Sequence, residues 1–302
     1  MILIVLMYSL FAATFPLAKI AMNYVDAPLF FLSIRMLLAG AGMILASFFL
    51  IPKRLLLTAK DFLLLAAAGF FGVFVAFGCE FWAIQFVSSI KVNIFYSLSP
   101  FMTAVFAYIF HNQKLSYKKV IGLFIGFLGL LTLSFDSNVV LTSCLPTSAY
   151  DVGLIISVAS AAYAWFVIKK LLDRGIPMLV VNGGMTFLGG CMCLFTYLLA
   201  SGGVVIPLVT SWNMMLLCMV GLILISNVIG YTMYGHLLHS YSLTLLSFTG
   251  FLCPLFGLLY GYLFMGEAFS WLYVIALVCV FIGLMLFYFD EQSDDSSAYY
   301  DE

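Results

Sequence analysis

Long apolar stretches separated by short polar ones make up almost the whole chain. An apolar run of about 20 residues can cross the hydrocarbon core of a bilayer as a helix. A membrane β-barrel would instead need segments of about ten residues that alternate in polarity, and runs such as VIGLFIGFLGLLTL are apolar on every face. The pattern predicts an all-α integral membrane protein with ten transmembrane helices at 2–22, 29–50, 62–84, 89–110, 119–135, 152–172, 178–200, 212–234, 243–265 and 271–289.

The composition supports a membrane protein. Only 8% of the 302 residues are charged and 65% are hydrophobic, whereas soluble domains average about 25% charged and 45–50% apolar residues. This chain therefore has too little polar material to cover a water-facing surface. No basic region precedes the apolar run that begins at Ile2, and no small-residue cleavage site follows it, so we expect this run to be the first span and not a signal peptide.

The basic residues indicate the orientation in the membrane. Positively charged loops are retained on the cytoplasmic side, which predicts that both termini are cytoplasmic and that the protein lies in the cell inner membrane. The acidic, serine-rich residues 290–302 are predicted to form a disordered cytoplasmic tail. Nine of the twelve Lys and Arg residues lie in three loops on one predicted side: Lys53, Arg54 and Lys60; Lys114, Lys118 and Lys119; Lys169, Lys170 and Arg174.

The second half of the chain repeats features of the first. SLSPFMTAVFAYIFHNQ aligns with FLCPLFGLLYGYLFMGE, which brings Pro100 opposite Pro254. The spans that follow align Gly129 with Gly283. Such a match over both halves predicts an internal duplication.

The repeat predicts two halves of five helices each, at 1–135 and 152–289, joined by an extracytoplasmic loop at 136–151. An odd number of spans forces the second half to enter the membrane in the opposite direction. Inverted repeats of this kind are common in secondary transporters, where the substrate site lies between the halves near the bilayer midplane.

Several motifs resemble the EamA type of the drug/metabolite transporter superfamily. These are Lys19 in the first span, Arg35 in PLFFLSIR, the SLSP segment with the spans around it, and the late Gly266–Glu267 pair. The resemblance covers nearly the whole chain and implies ten helices in two inverted halves that carry small organic solutes. The first half departs from the family pattern, because HNQ at 111–113 replaces the usual Gly-Glu.

Apart from the lysines at the cytoplasmic ends of the spans, four ionisable residues fall inside predicted spans, all in the outer half: Lys19, Arg35, Glu80 and Lys91. Such residues usually face a cavity or a partner. In one interpretation Glu80 pairs with Lys91 or Arg35 and only holds helices together. In the other, the four residues form a polar mouth for the substrate. Three cations against one anion favour a carboxylate or phosphate on that solute, and Arg35 could hold it by two parallel hydrogen bonds.

Amides and tyrosines extend this candidate substrate site. An amide in hydrocarbon needs hydrogen-bond partners, so we predict that Asn93, Asn182 and Asn227 line the cavity. Tyr231 and Tyr234 align with Phe77 and Glu80 across the repeat and predict an aromatic wall opposite the acid.

These features predict a secondary transporter of a small polar metabolite, such as an amino acid or an S-adenosylmethionine-like cofactor, that works by alternating access. The partners expected are this solute, the lipid bilayer and a possible proton or exchange solute, with no cofactor, metal or nucleic acid. No phosphate-binding loop is present in the sequence. Two alternatives remain open at this point: an exporter of lipophilic cations, and an intramembrane enzyme or a receptor that does not transport.

Overall fold

The structure is a computed structural model that describes residues 2–51, 57–87, 89–111, 116–132, 148–203, 207–265 and 271–298. Regular structure in these ranges is helical, apart from an isolated bridge between Val25 and Val209. The α-helices are α1 (Ile2–Met22), α2 (Pro28–Leu50), α3 (Ala59–Gly69), α4 (Ala76–Ala83), α5 (Ser89–Tyr96), α6 (Ser99–His111), α7 (Tyr117–Thr132), α8 (Ala149–Asp173), α9 (Met178–Ala200), α10 (Trp212–Leu222), α11 (Tyr231–Leu237), α12 (Leu243–Phe248), α13 (Leu252–Met265) and α14 (Trp271–Ala298).

Several of these helices continue one another as single interrupted rods. A π-helix at Phe70–Val75 joins α3 to α4, and a second at Ile223–Gly230 joins α10 to α11. A turn at 97–98 joins α5 to α6, and a 3₁₀ turn at Thr249–Phe251 joins α12 to α13. The described residues therefore form ten helical segments close to the predicted runs.

Seven helical segments of the described chain are long and apolar enough to cross a membrane, which confirms a multi-pass helical protein. Two shorter apolar stretches, Leu243–Gly257 and Val274–Asp290, lie in the last two segments. The seven long segments are Ile2–Met22, Pro28–Leu50, Ala59–Ala83, Lys91–Phe110, Ala149–Asp173, Met178–Ala200 and Trp212–Leu237.

Capping boxes begin two of the long segments. The Thr58 hydroxyl accepts from the Asp61 amide at 3.3 Å, and the Asp61 carboxylate accepts from the Thr58 amide at 2.9 Å. Ser148 and Asp151 do the same at 3.3 and 3.1 Å. Each box satisfies backbone donors that the first turn of a helix leaves without partners.

Ion pairs tie the ends of the helices together. Lys91 pairs with Asp151 at 2.8 Å, where α5 and α8 begin. At the other end of α8, Arg174 pairs with Asp61 at 2.5 Å. Because α8 runs from one pair to the other, the two pairs lie on opposite faces of the bundle.

Two helix crossings depend on glycine. A Cβ atom at Gly40 in α2 would lie 2.5 Å from the backbone nitrogen of Phe187 in α9. A Cβ atom at Gly283 in α14 would lie 2.5 Å from the carbonyl oxygen of Gly122 in α7. Small residues thus let these helices approach to backbone contact, as is common between membrane helices.

The end of the chain differs from the sequence prediction. The backbone of 290–298 continues α14 as a helix, whereas the acidic composition predicts disorder from 290 onward. Once a helix is established, each further residue adds a hydrogen bond. Four predicted features lie outside the described residues: 112–113 of the HNQ motif, loop residues 136–147, the pair at 266–267 and the final 299–302.

Candidate functional site

A cavity of about 870 Å³, part of it open to solvent, lies among six of the helical segments. Its walls come from α1, from the π-helix at Phe70–Val75 with α4, from the junction of α5 and α6, from α8, from the π-helix at Ile223–Gly230 with α11, and from the α12–α13 rod. Both halves of the chain therefore contribute to one space.

Glu80 is the acid of this cavity. It is buried in α4, and its Oε2 accepts a hydrogen bond from the Tyr96 hydroxyl at 2.5 Å. Tyr96 Oη lies 3.0 Å from Ser157 Oγ, which in turn donates to the carbonyl oxygen of Ala76 at 2.8 Å. The carboxyl group is thus fixed by residues of three different helices.

An aromatic wall faces this acid. Trp165 of α8 stacks on Tyr234 with ring centroids 3.8 Å apart, and on Tyr231 at 5.1 Å. Tyr231 also meets Phe77, the residue one turn before Glu80, at 6.4 Å, and Phe11 of α1 at 6.1 Å. The rings present π-faces and edges to the same cavity that Glu80 lines.

Arg35 is fully buried directly behind this wall. Its guanidinium carbon lies 5.4 Å from the Phe77 ring centroid and 5.7 Å from that of Phe81. Nε and Nη2 both donate to Asn227 Oδ1, at 3.2 and 3.0 Å. Among the described residues no ion pair joins Arg35 to a carboxylate.

A relay of amides holds Asn227 in turn. Asn182 Nδ2 donates to the Asn227 carbonyl oxygen at 2.6 Å, and the Thr186 hydroxyl donates to Asn182 Oδ1 at 3.2 Å. The π-helix leaves this Asn227 carbonyl available to a side chain of α9. Arg35 of the first half is therefore positioned by residues of the second half.

Lys19 belongs to α1, and its side chain contacts the C-terminal end of the third helical segment. It does not line the cavity. Its ammonium group donates to the carbonyl oxygens of Ile84, Gln85 and Val87 at 2.5, 3.0 and 3.0 Å. These are the last carbonyls of the rod that contains α4, and a cation there is favoured by the helix dipole.

The possible pairing of Glu80 with Lys91 is wrong. Lys91 binds Asp151, and Glu80 binds Tyr96. The two side chains point in different directions from their helices. Glu80 lies on the cavity face of its helix with Ala76 and Phe77, whereas Lys91 faces the N-terminus of α8.

The nine predicted site residues thus fall into three groups. Glu80, Tyr231 and Tyr234 line the cavity. Arg35, Asn182 and Asn227 form the network behind it. Three others lie elsewhere: Lys19 and Lys91 at helix ends, and buried Asn93 where α5 faces Gly257 of α13.

Sequence reasoning missed four residues of this region: Tyr96, Ser157, Trp165 and Asp151. The serine and the two aromatic residues are ordinary in an apolar helix, so nothing in the pattern distinguishes them. Asp151 did have a signal, because Ser148-Ala-Tyr-Asp151 is a capping-box sequence. The described residues contain no group of three His, Cys, Asp or Glu side chains that could hold a metal ion.

Comparison with known proteins agrees with a carrier. A sequence profile of the EamA-like transporter family matches residues 1–135 and 149–289. A Chlamydia muridarum protein named "S-adenosylmethionine/S-adenosylhomocysteine transporter" is 28% identical over 296 residues, which cover 93% of this chain and 89% of the relative. A protein of the same name from Chlamydia trachomatis serovar D is 28% identical over 289 residues, covering 93% and 86%. A protein crystal structure with 17% identity has a TM-score of 0.66 over 94% of this chain and 93% of that one, a similarity of fold alone.

Proposed function

Because the chain belongs to the EamA-like transporter family, we propose that it carries S-adenosylmethionine, or an amino-acid-like cofactor of that type, across the cell inner membrane. The single observation that carries this proposal is the juxtaposition of Glu80 with the aromatic wall of Trp165, Tyr231 and Tyr234 in one cavity. The names of the Chlamydia relatives support the same substrate class.

The chemistry of the cavity fits each part of such a molecule. S-adenosylmethionine combines a sulfonium, an ammonium, a carboxylate and a flat heteroaromatic base. Aromatic faces attract organic cations and stack on planar bases. Glu80 can hold the ammonium or the sulfonium by charge, and Arg35, behind Phe77, is the residue suited to a carboxylate.

We also propose that the chain consists of two inverted five-helix halves that alternate access to this cavity. Supporting this, the π-helices at Phe70–Val75 and Ile223–Gly230 occupy corresponding positions in the halves. So do the interruptions at 97–98 and Thr249–Phe251. The rod of α3 begins on the Asp61–Arg174 face, whereas the rod of α10 begins beside the Val25–Val209 bridge on the opposite face.

Uptake of tritiated S-adenosylmethionine by proteoliposomes containing the purified protein tests the substrate. We expect saturable uptake that S-adenosylhomocysteine competes for and that Glu80→Gln weakens. Loss of a charge-assisted contact corresponds to about a 10- to 100-fold rise in apparent Kd. Asp26→Asn, which neutralises an exposed loop acid, should leave uptake unchanged.

The competition assay also separates the alternative substrate class. An exporter of lipophilic cations would use the same acid and rings, but its uptake signal would be suppressed by tetraphenylphosphonium and not by S-adenosylhomocysteine. Equal uptake by protein-containing and empty liposomes for both probes would contradict carrier function for either class.

A further inference from the structure

Several neutral polar groups of the cavity have no hydrogen-bond partner among the described residues. Ser99 and Thr103 of α6, Trp165 of α8 and Tyr231 of α11 all line this space. Within the described ranges, the Thr103 hydroxyl and the Trp165 indole N–H make no hydrogen bond, and neither do the hydroxyls of Ser99 and Tyr231. Thr103 is only 2% exposed. Buried polar groups normally have hydrogen-bond partners, so water or a solute in the cavity must supply them.

Two neighbouring helices set a common scale of depth for the cavity. Lys91 and Asp151 pair where α5 and α8 begin. One to two turns further along, Tyr96 of α5 lies 3.0 Å from Ser157 of α8, at the level of Glu80, to which Tyr96 donates. The α5–α6 rod and α8 therefore run side by side in the same direction, and depth can be counted along either from the ion pair.

This scale gives the order of the polar groups in the cavity. At 1.5 Å per residue, Tyr96 lies about 8 Å from the level of the ion pair, Ser99 about 12 Å, Thr103 about 18 Å and Trp165 about 21 Å. Glu80, beside Tyr96, is the one charged side chain among the described residues that line the cavity. The cavity therefore has a charged end at Glu80 and a neutral end toward the C-terminal end of α8.

The neutral end has the chemistry that binds a nucleoside. Hydroxyl groups donate and accept hydrogen bonds, whereas an indole N–H only donates, and an indole ring stacks on planar rings. S-adenosylmethionine presents matching parts in the same order as the cavity groups. Its amino-acid and sulfonium end is charged, its ribose carries two hydroxyls, and its adenine is a flat base with nitrogen acceptors on its edge.

We propose that Trp165, Thr103 and Ser99 form a nucleoside subsite at the neutral end of the cavity. The base joins the aromatic stack that contains Trp165, and the indole N–H and the Thr103 hydroxyl bind the edge of the base. Ser99 binds the ribose hydroxyls. The charged end of the substrate then lies at Glu80, and the base points toward the C-terminal end of α8. This assignment rests on the proposed function for the identity of the whole substrate.

Two fragments of the substrate test the two ends separately. 5′-Methylthioadenosine keeps the nucleoside without a charge, and S-methylmethionine keeps the charged groups without the nucleoside. Titration of the melting temperature of the purified protein with each compound measures its affinity. Trp165→Leu should weaken 5′-methylthioadenosine binding by about 10- to 100-fold and Thr103→Val by about 3- to 10-fold. Neither variant should change S-methylmethionine binding, whereas Glu80→Gln should weaken S-methylmethionine binding and leave the nucleoside unaffected.

Matched variants outside the cavity supply the controls. Trp82 packs against Tyr150 with ring centroids 4.9 Å apart, and the Thr196 hydroxyl donates to the Met192 carbonyl at 2.9 Å. Neither Trp82 nor Thr196 lines the cavity, so Trp82→Leu and Thr196→Val should bind both fragments with unchanged affinity. If Trp165→Leu does not fold, the test is decided by Thr103→Val, which preserves the shape of the side chain.

Stacking itself has a separate readout. A base stacked on an indole quenches its fluorescence, so 5′-methylthioadenosine should quench the tryptophan emission of the unmodified protein and of Trp82→Phe. This quenching should disappear in Trp165→Phe, which keeps an aromatic ring in the same place. Quenching that persists in Trp165→Phe contradicts contact between the base and this indole.

The outcomes separate the subsite from the proposed substrate. Binding of S-adenosylmethionine, with 5′-methylthioadenosine bound equally well by Thr103→Val and the unmodified protein, overturns the subsite and leaves the substrate standing. Equal weakening of both fragments by Trp165→Leu and Thr103→Val also overturns it. Nucleoside binding that depends on Trp165 and Thr103, without binding of S-adenosylmethionine, overturns the substrate and leaves the subsite standing. If the unmodified protein binds none of the three compounds, both fail.

Discussion

At the scale of single residues, the most unusual group is Arg35. Buried cations are normally paired with carboxylates, yet this guanidinium is held by the neutral amide of Asn227, with a second amide and a threonine behind it. An amide fixes the direction of the guanidinium without neutralising it. Among the described residues the guanidinium therefore keeps its positive charge without a carboxylate in ion-pair contact, beside the Phe77 ring that lines the cavity.

This arrangement predicts how substitutions of Asn227 behave. Asn227→Leu removes the acceptor and leaves Arg35 as an unpaired buried charge, a change that costs about 3–5 kcal/mol in comparable pairs. We expect little folded protein in fluorescence-detected size-exclusion chromatography after mild heating. Asn227→Asp should fold, because the carboxylate can accept the same two hydrogen bonds.

A double variant supplies the control for this interpretation. Arg35→Met combined with Asn227→Leu removes both the charge and its acceptor, so folded protein should be recovered. Asn227→Leu as stable as the unmodified protein would mean that the amide does not support Arg35.

The site residues that can be predicted from the sequence are those whose side-chain type is rare in an apolar chain. Glu80 and Arg35 stand out because ionisable groups inside spans are few, and both lie at or beside the cavity. Tyr96 and Ser157 could not be selected, because one more tyrosine or serine is unremarkable in this composition. The Glu80–Lys91 pairing failed for a different reason: spacing along the chain does not give the rotation of each helix about its axis.

At the scale of helices, the contact of α2 with α9 brings the two halves together beside Arg35. Gly40 of α2 touches the Phe187 backbone, and Gly190 of α9 would, with a Cβ, come within 3.0 Å of the Leu37 nitrogen. Each of the two helices thus places a glycine against the backbone of the other.

Two glycines of α2 give a matched test of this contact. Gly40→Ala forces a Cβ against backbone, and overpacking of this kind costs typically about 1–3 kcal/mol. Gly42→Ala meets nothing within 4 Å on the outer face of the same helix and should be neutral or slightly stabilising. Thermal melting of both variants in the same detergent measures the difference, and equal melting temperatures would contradict the close crossing.

At the scale of the whole molecule, α8 joins the halves along its full length. Asp151 binds Lys91 at one end and Arg174 binds Asp61 at the other, and Ser157 and Ser160 donate to backbone carbonyls between them. Lys118 and Asp290 form a further pair at 3.7 Å, on the face where Arg174 lies. Counting charges along the sequence predicts these basic residues on one side of the membrane, and in the structure Lys118 and Arg174 each pair with an acid of another helix.

The sidedness of that face in the cell is still a prediction. We expect the face with Asp61, Arg174 and Lys118 to be cytoplasmic and the 136–151 loop to be extracytoplasmic. Cys144 in that loop should react with a membrane-impermeant thiol reagent in intact cells, and Cys144→Ser should abolish this labelling. Labelling that requires permeabilised cells would reverse the orientation.

The positions of the long apolar helices could be read from hydrophobicity because the bilayer imposes a minimum length on each apolar run. The interruptions could not. Nothing in the residue types of FFGVFV or ILISNVIG distinguishes a π-helix from an α-helix. The first π-helix packs against α8 and α9 and the second against α1 and α2, and these tertiary contacts are not visible in the local sequence.

These two π-helices have a consequence for the history of the protein. A π-helical turn is an α-helix that holds one residue more than its length allows. Deleting a single residue from Phe70–Val75 would restore regular winding and turn Glu80 by about 100° relative to the start of its rod. If the halves arose by duplication, as we propose, the extra residue at the same place in both was inserted before that duplication. The proposed ancestral five-helix unit would then already have had its third helix wound to present side chains to a shared cavity.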